Sequence, residues 1–116
     1  MPRVKRGNRR LKRRKKVLEQ TKGYYGSKSK LHLIARRQLE KSLQYAYRDR
    51  RVKKREFRQL WILRISSALR QMGLKYSEFM HKIKEKNIGL NRKVLANMAA
   101  KDFEAFKKLV EIVQAN

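Results

Sequence analysis

Between Ser27 and Met72 the chain contains neither glycine nor proline, and this feature limits the folds open to it more than any other. Apolar residues follow helical spacing through its first half: Leu31, Ala35, Leu39, Leu43, Ala46 and Tyr47. At about 1.5 Å per residue, one helix of that extent runs roughly 65 to 70 Å. A core built by 116 residues could not cover it. The sequence therefore predicts a long helix that is partly free of contacts with a protein core.

The centre of the predicted helix, residues 48–56, reads RDRRVKKRE and has Val52 as its only apolar residue. A helix that is polar on every face has no side to bury against other protein elements. We therefore predict that this segment packs against no protein core.

Basic residues near this centre recur at every fourth position, as in Arg50, Lys54 and Arg58. Like charges at that spacing destabilise an isolated helix by roughly 0.2 to 0.5 kcal/mol per pair, and Asp49 with Lys53 relieves only part of the repulsion. Phosphate groups would reverse the sign of this effect. The spacing therefore predicts that one face of the helix meets a phosphate backbone.

The net charge of the whole chain supports a polyanionic partner. The chain carries 34 Lys or Arg against 9 Asp or Glu, a formal charge of +25. Residues 1–58 account for +19 of this and residues 59–116 for +6. Such a charge opposes a compact monomer unless a partner supplies negative groups. Nucleic acid, an anionic membrane and an acidic protein could all receive the basic half, and nucleic acid is favoured.

The amino-terminal segment, residues 3–16, contains ten Lys or Arg and no acid. Its branched apolar side chains are Val4 and Leu11 alone. Since so little apolar surface could not offset the entropy of folding, we predict that the segment is disordered in free solution and ordered on a partner.

A turn or hinge is predicted at residues 22–30, which read KGYYGSKSK. Ser27 or Ser29 could cap the helix that follows. Tyr24 and Tyr25 suit either of two roles. They could stack on bases exposed in an RNA loop, or they could anchor the bend against a neighbouring helix.

The second half of the chain has the pattern of a small helical domain. Four stripes of apolar residues are expected to point inward: Leu60, Trp61, Ile65, Ala68, Leu69 and Met72; Phe79, Met80 and Ile83; Val94, Leu95 and Met98; and Phe106, Leu109, Val110 and Val113. Gly73 is expected to end the first helix, and Ser77, Asn91 and Asp102 to cap the next three. The predicted fold is all-α, with a long basic helical arm in residues 1–58 and a four-helix globular domain in residues 59–116.

Residues with catalytic or metal-binding chemistry are scarce. The chain has no cysteine, and its histidines are His32 and His81, for which structural roles are expected. Gly-rich phosphate loops are absent, and no window is apolar enough to span a membrane. We therefore predict no catalytic residue, no metal, no cofactor, no small-molecule substrate and no membrane association.

Four segments make the sequence more specific than its composition does. They are LQYAYRDRRVKKREFRQLWILRI at residues 43–65, MPRVKRG at the start, KGYYGSKSK at the predicted turn and LNRKVLANMA at residues 90–99. Together they closely resemble the L-twenty family of bacterial and organellar large-subunit ribosomal proteins, and the resemblance runs essentially end to end.

The resemblance implies an extended helical arm that threads into large-subunit ribosomal RNA and a small helical domain seated on its surface. It also implies neighbouring large-subunit proteins as partners, an early role in subunit assembly, and a place in the ribosome of a bacterial cytoplasm or of an organelle. Some members of the family are associated with repression of their own translation through messenger RNA, and this is carried over as an expectation only.

Phosphate neutralisation by Lys and Arg predicts where the chain binds RNA, with the two tyrosines as candidates for base stacking. The candidate RNA-binding residues are Arg3, Lys5, Arg6, Arg9, Arg10, Lys12, Arg13, Arg14, Lys15, Lys16, Lys22, Tyr24, Tyr25, Lys28, Lys30, Arg36, Arg37, Arg48, Arg50, Arg51, Lys53, Lys54, Arg55, Arg58, Arg64, Arg92 and Lys93.

Two other classes of function compete with this interpretation. A basic arm and four short helices could serve duplex DNA, although the helix after Asn91 offers only Arg92, Lys93 and Asn97 for reading bases. A basic helix could instead lie on anionic lipid. The most basic stretch has almost no apolar face, and this disfavours insertion into a membrane surface.

Overall fold

The computed structural model describes residues 7–115, and over this range the chain forms helices and no strands. The helices are α1 (Arg9–Gln20), a short 3-10 helix (Gly26–Ser29), α2 (His32–Gln71), α3 (Tyr76–Glu85), α4 (Arg92–Lys101) and α5 (Phe103–Gln114). The prediction of an all-α fold with one long helix and a smaller helical carboxy-terminal part is confirmed. Contacts within the chain divide it into two compact units, Met1–Arg51 and Val52–Asn116.

Helix α1 lies in a segment for which no helix was predicted. Residues 3–16 were predicted to be disordered in free solution and ordered on a partner, and residues 9–16 form the first part of α1. The Asn8 side chain caps the helix by accepting a hydrogen bond from the Leu11 amide at 3.1 Å. Lys and Arg are also good helix formers, which an estimate based on apolar burial alone ignores. Residues 3–6 lie outside the described residues, and ordering of the arm only on a partner stays a prediction.

The start of α2 differs from the predicted capping by Ser27 or Ser29. The Ser29 hydroxyl donates to the Gly26 carbonyl at 3.1 Å, and the Ser27 carbonyl accepts from the Leu31 amide at 2.9 Å. Both serines therefore complete the 3-10 turn, and α2 begins beyond them at His32. The turn needs Gly26, whose φ of +59° is unfavourable for a residue with a Cβ.

The end of α2 follows the prediction. Gly73 has a φ of +72°, and the Leu74 amide donates to the Leu69 carbonyl at 3.0 Å. This is the left-handed helix stop with a returning hydrogen bond that glycine favours. The apolar residue after the glycine, Leu74, packs against the core.

The core of the second unit is built from α2, α3, α4 and α5. Its largest fully buried side chains are Phe79, Phe106, Ile65, Leu69 and Leu95. The rings of Phe79 and Phe106 lie 5.9 Å apart between centroids and are tilted. The predicted stripes of α3 and α5 are confirmed, since Ile83, Val110 and Val113 are also buried.

Two residues predicted to point inward are exposed. Leu60 lies one residue before Trp61, the first α2 side chain that packs against the core. Val94 is exposed as well, whereas Leu95 and Ala96 are fully buried. Helix α4 contacts α5, and a small residue such as alanine lets two helix backbones approach closely. The buried stripe of α4 is therefore centred on Leu95 and Ala96, with Val94 at its edge.

The caps of the three short helices were predicted with mixed success. Asn91 accepts from the Val94 amide at 2.9 Å, and Asp102 accepts from the Ala105 amide at 3.0 Å, as predicted. Ser77 is not a cap, because α3 already begins at Tyr76 with Lys75 at the capping position. Tyr76, the first residue of the helix, packs against the core.

Candidate nucleic-acid interface

The basic side chains of α1 are all exposed. They are Arg9, Arg10, Lys12, Arg13, Arg14, Lys15 and Lys16. Val17 and Leu18 are half-buried, and the buried Thr21 hydroxyl donates to the Val17 carbonyl at 3.2 Å. The carboxy-terminal end of α1 is thus packed while its basic part faces solvent. The candidates Arg3, Lys5 and Arg6 lie outside the described residues.

The two tyrosines of the predicted turn have different environments. Tyr25 is 90% exposed, whereas Tyr24 is half-buried and its amide donates to the Thr21 carbonyl at 3.0 Å. An exposed ring can stack on a base, and a half-buried ring suits the anchoring role that the sequence left open for both. Lys22, Lys28 and Lys30 are exposed around them.

The candidates on the first part of α2 are Arg36 and Arg37, and both are exposed. Arg36 donates through Nε to Glu40 at 3.3 Å, and the two residues of this exposed pair lie about one helical turn apart. Pairs of this kind are weak because water screens them, so Arg36 can exchange its partner at small cost.

The central part of α2 presents almost its whole circumference to solvent. From residue 43 to residue 60 every side chain is exposed except Val52, which is half-buried. The exposed basic candidates here are Arg48, Arg50, Arg51, Lys53, Lys54, Arg55 and Arg58. The expectation that this stretch packs against no protein core agrees with their exposure.

One of the two acids in this stretch, Asp49, has a different partner from the predicted one. Asp49 accepts from Nε of the adjacent Arg48 at 2.9 Å, so its expected pairing with Lys53 is wrong. The hydrogen bond with Asp49, and then the attraction of its charge, raise the pKa of the Arg48 guanidinium above its ordinary value. Adjacent residues can pair this way because the arginine side chain is long enough to turn back along the helix surface.

Sequence reasoning missed a set of contacts between aromatic rings and cations. The Tyr45 ring lies 4.9 Å from Cζ of Arg48 and 5.3 Å from Nζ of Lys41. The Tyr47 ring lies 4.6 Å from Cζ of Arg51, and its hydroxyl accepts a hydrogen bond from the same guanidinium. The signal was present in the sequence, because residues three or four apart are neighbours on a helix.

The second unit contributes three candidates with different surroundings. Arg64 is exposed beside a shallow groove lined also by Ser67, Ala99 and Phe103. Lys93 is exposed in the first turn of α4. Arg92 is half-buried and donates through Nε to the Tyr76 hydroxyl at 3.0 Å. Its guanidinium therefore joins α4 to α3, and a structural role accompanies any role in binding.

Neither a metal-binding cluster nor a membrane-spanning helix occurs in the described part of the chain. Among residues 7–115 there is no group of three or more His, Cys, Asp or Glu side chains placed to hold a metal ion. His32 is half-buried, and exposed His81 lies 3.3 Å from Glu85. None of the helices in this range is both long enough and apolar enough to cross a membrane.

Comparisons with known proteins identify the family. The family model described as Ribosomal protein L20 matches residues 3–109. The large ribosomal subunit protein bL20 of Acaryochloris marina is 56% identical over 112 residues, which is 97% of each chain. The protein of the same name from Acetivibrio thermocellus is 56% identical over 115 residues, covering 99% of this chain and 98% of the relative. This chain belongs to the ribosomal protein L20 family.

Proposed function

We propose that this chain, a structural and non-enzymatic component of the large ribosomal subunit, binds the subunit's ribosomal RNA directly through its basic arm and helps the subunit to assemble. The arm comprises residues 1–58, and a contribution from the helical domain comes from Arg64, Arg92 and Lys93. We also propose that the arm ends at Arg58 and that the helical domain begins at the next residue.

One observation carries the proposal most strongly. The basic side chains in the middle of α2 are exposed on all sides of the helix, and α1 presents a second group of exposed basic side chains. A solvated surface of a globular protein normally mixes both charge signs, because like charges repel. Here the acids are few, with Asp49 and Glu56 the carboxylates in residues 48–58. This concentration of charge is best explained by phosphates.

Affinity would come mainly from neutralised phosphates, since each contact releases condensed counterions into solution. A helix without a core of its own can also enter a crevice between RNA helices that a globular protein cannot. Base contacts would be few, because A-form RNA is recognised chiefly by its shape and backbone. The exposed Tyr25 ring is a candidate for one of them.

The proposed role in assembly follows from the length of the arm. When α2 binds RNA along its central turns, it fixes the positions of the RNA helices that it touches relative to each other. Adding the protein early would thus favour later folding steps of the RNA. Binding to the chain's own messenger RNA rests on the family resemblance alone, and it would require that RNA to present a similar arrangement of phosphates.

A binding comparison separates this proposal from its rivals. The full-length chain is titrated with deproteinised large-subunit ribosomal RNA, with duplex DNA of mixed sequence and with anionic lipid vesicles, all at the same salt concentration. We expect tighter binding to the ribosomal RNA than to the DNA, and no sedimentation with the vesicles. Equal affinity for RNA and DNA would support a general polyanion binder and contradict the proposal.

The assembly role has a separate measurement. Chemical probing of the ribosomal RNA, with and without the protein, should show protection at sites far apart in the RNA sequence when the protein is added first. Protection confined to one local site would contradict a role in positioning RNA helices.

A further inference from the structure

Two exposed arginines on α2 are held in place by neighbouring side chains, unlike most basic residues around them. Arg48 donates through Nε to Asp49 at 2.9 Å, and its Cζ lies 4.9 Å from the centre of the Tyr45 ring. Arg51 donates through Nη2 to the Tyr47 hydroxyl, and its Cζ lies 4.6 Å from the centre of that ring. Each guanidinium therefore has two contacts, a hydrogen bond and an aromatic ring, that together favour one orientation, whereas Arg36 has a single exposed ion pair.

The two tyrosines that contact these arginines are exposed. Tyr45 is 45% exposed and Tyr47 is 55% exposed, so neither ring contributes mainly to a core. Other large apolar side chains of α2, such as Leu43, are exposed as well, and what distinguishes the two tyrosines is that each contacts a guanidinium group. Arg is the cation that most often stacks on an aromatic face.

An oriented guanidinium recognises its ligand differently from a mobile cation. A lysine acts as a point charge and binds phosphates in many geometries. The planar guanidinium fork of arginine instead donates two parallel hydrogen bonds to a pair of acceptor atoms at a fixed spacing. Holding the fork in advance also lowers the entropy lost on binding. The gain applies only to acceptors that meet the fork in its held orientation, so it favours one RNA geometry over others.

The held arginines retain donors for a ligand. The contact with Asp49 uses Nε of Arg48, and both terminal nitrogens stay free of that bond. The contact with Tyr47 uses Nη2 of Arg51, while the hydroxyl accepts and keeps its own proton to donate. The two sites therefore present several N–H groups and one O–H group toward solvent.

We propose that Arg48 and Arg51 are specificity-determining residues that bind paired acceptor atoms in non-helical segments of the ribosomal RNA, where bases and phosphates depart from A-form geometry. Tyr45, Tyr47 and Asp49 are positioning residues that orient the two guanidinium groups. This inference rests on the proposed RNA-binding function, and it divides the basic residues of α2 into two classes. The other basic side chains supply affinity for any RNA, and Arg48 and Arg51 supply preference for the ribosomal RNA.

Charge-conserving variants of the full-length chain test this division. Arg48→Lys and Arg51→Lys keep the charge and remove the fork. Arg70→Lys is the matched control, because Arg70 is exposed on the same helix, lies outside the candidate RNA-binding set and has no side-chain ion pair, hydrogen bond or aromatic contact among the described residues. Tyr47→Phe removes the hydroxyl and leaves the ring. Affinities are measured for deproteinised large-subunit ribosomal RNA and for a regular A-form RNA duplex at matched salt.

We expect each of the two held-arginine variants to lower affinity for the ribosomal RNA about tenfold while changing affinity for the duplex less than about twofold. Tyr47→Phe should give a smaller loss in the same direction, and Arg70→Lys should change neither affinity by more than about twofold. The salt dependence of binding should stay the same in every variant, since no charge is lost.

Two other results have distinct meanings. If Arg48→Lys and Arg51→Lys behave like Arg70→Lys while the unaltered chain still prefers ribosomal RNA, the inference is overturned and the proposed function stands. If the unaltered chain shows no preference for ribosomal RNA over the duplex, the proposed function fails and the inference fails with it.

Discussion

Removing three charges from the centre of α2 should weaken RNA binding in a way that salt reveals. The perturbation is the triple variant Arg50→Gln, Lys54→Gln and Arg58→Gln. All three side chains are exposed on α2, and none takes part in an ion pair among residues 7–115. Glutamine has a helix propensity close to those of Lys and Arg, so the change removes charge and leaves the helix intact.

The size of the effect follows from the number of phosphates lost. Each neutralised phosphate contributes roughly 0.7 to 0.9 to the slope of log affinity against log salt concentration. If each of the three side chains meets one phosphate, the slope should become shallower by about two to three units. Affinity should fall for structured RNAs in general, because phosphate contacts carry no direct sequence information.

The assay is a titration of the full-length chain with labelled ribosomal RNA at several salt concentrations. Circular dichroism of each variant checks that helix content is not lost. Lys84→Gln, Lys101→Gln and Lys108→Gln together form the control, since these exposed lysines lie outside the candidate set. The control should change the slope by less than about one unit. An equal change in both variants would show that total charge, and not the centre of α2, determines the salt dependence.

Three further predictions concern folding. A fragment that starts near Arg58 should unfold cooperatively on heating, because the core lies beyond that residue; helix content without a cooperative transition would contradict the proposed boundary. Residues 1–58 alone should be mostly disordered in low salt and gain helix when RNA is added, as followed by circular dichroism. Phe106→Ala should lower the free energy of unfolding in urea by about 3 to 5 kcal/mol, whereas Leu63→Ala, at a side chain that is 66% exposed, should change it by less than about 0.5 kcal/mol.

The carboxy-terminal helices could be predicted well because local sequence rules and packing agree there. Phe106, Val110 and Val113 recur at helical spacing, and Asp102 stands where a side-chain cap is needed. The start of α3 was predicted less well. Ser77 satisfies the local capping rule, yet α3 begins ahead of it at Tyr76, a residue that packs against the core.

The basic segments were harder to predict for two physical reasons. The first is that α1 has little apolar surface, so an argument from burial predicts disorder in free solution and does not locate the helix that Asn8 caps. The second is that a long charged side chain can reach several partners. Asp49 was expected beside Lys53 and instead pairs with Arg48, because side-chain rotamers select among neighbours of similar energy. The RNA-binding residues themselves stay predictions, because the positions of the RNA phosphates determine which exposed basic side chains make contact.

Salt should act on the arm in two opposite directions, and this follows from the charge spacing on α2. Without RNA, repulsion between exposed basic residues such as Arg50 and Lys54 opposes the helix, and added salt screens that repulsion. With RNA, the same salt competes with the phosphate contacts that hold the arm. Rising salt should therefore increase the helix content of the free arm while it lowers its affinity for RNA. A helix stabilised mainly by burial would instead keep its content unchanged across the same range.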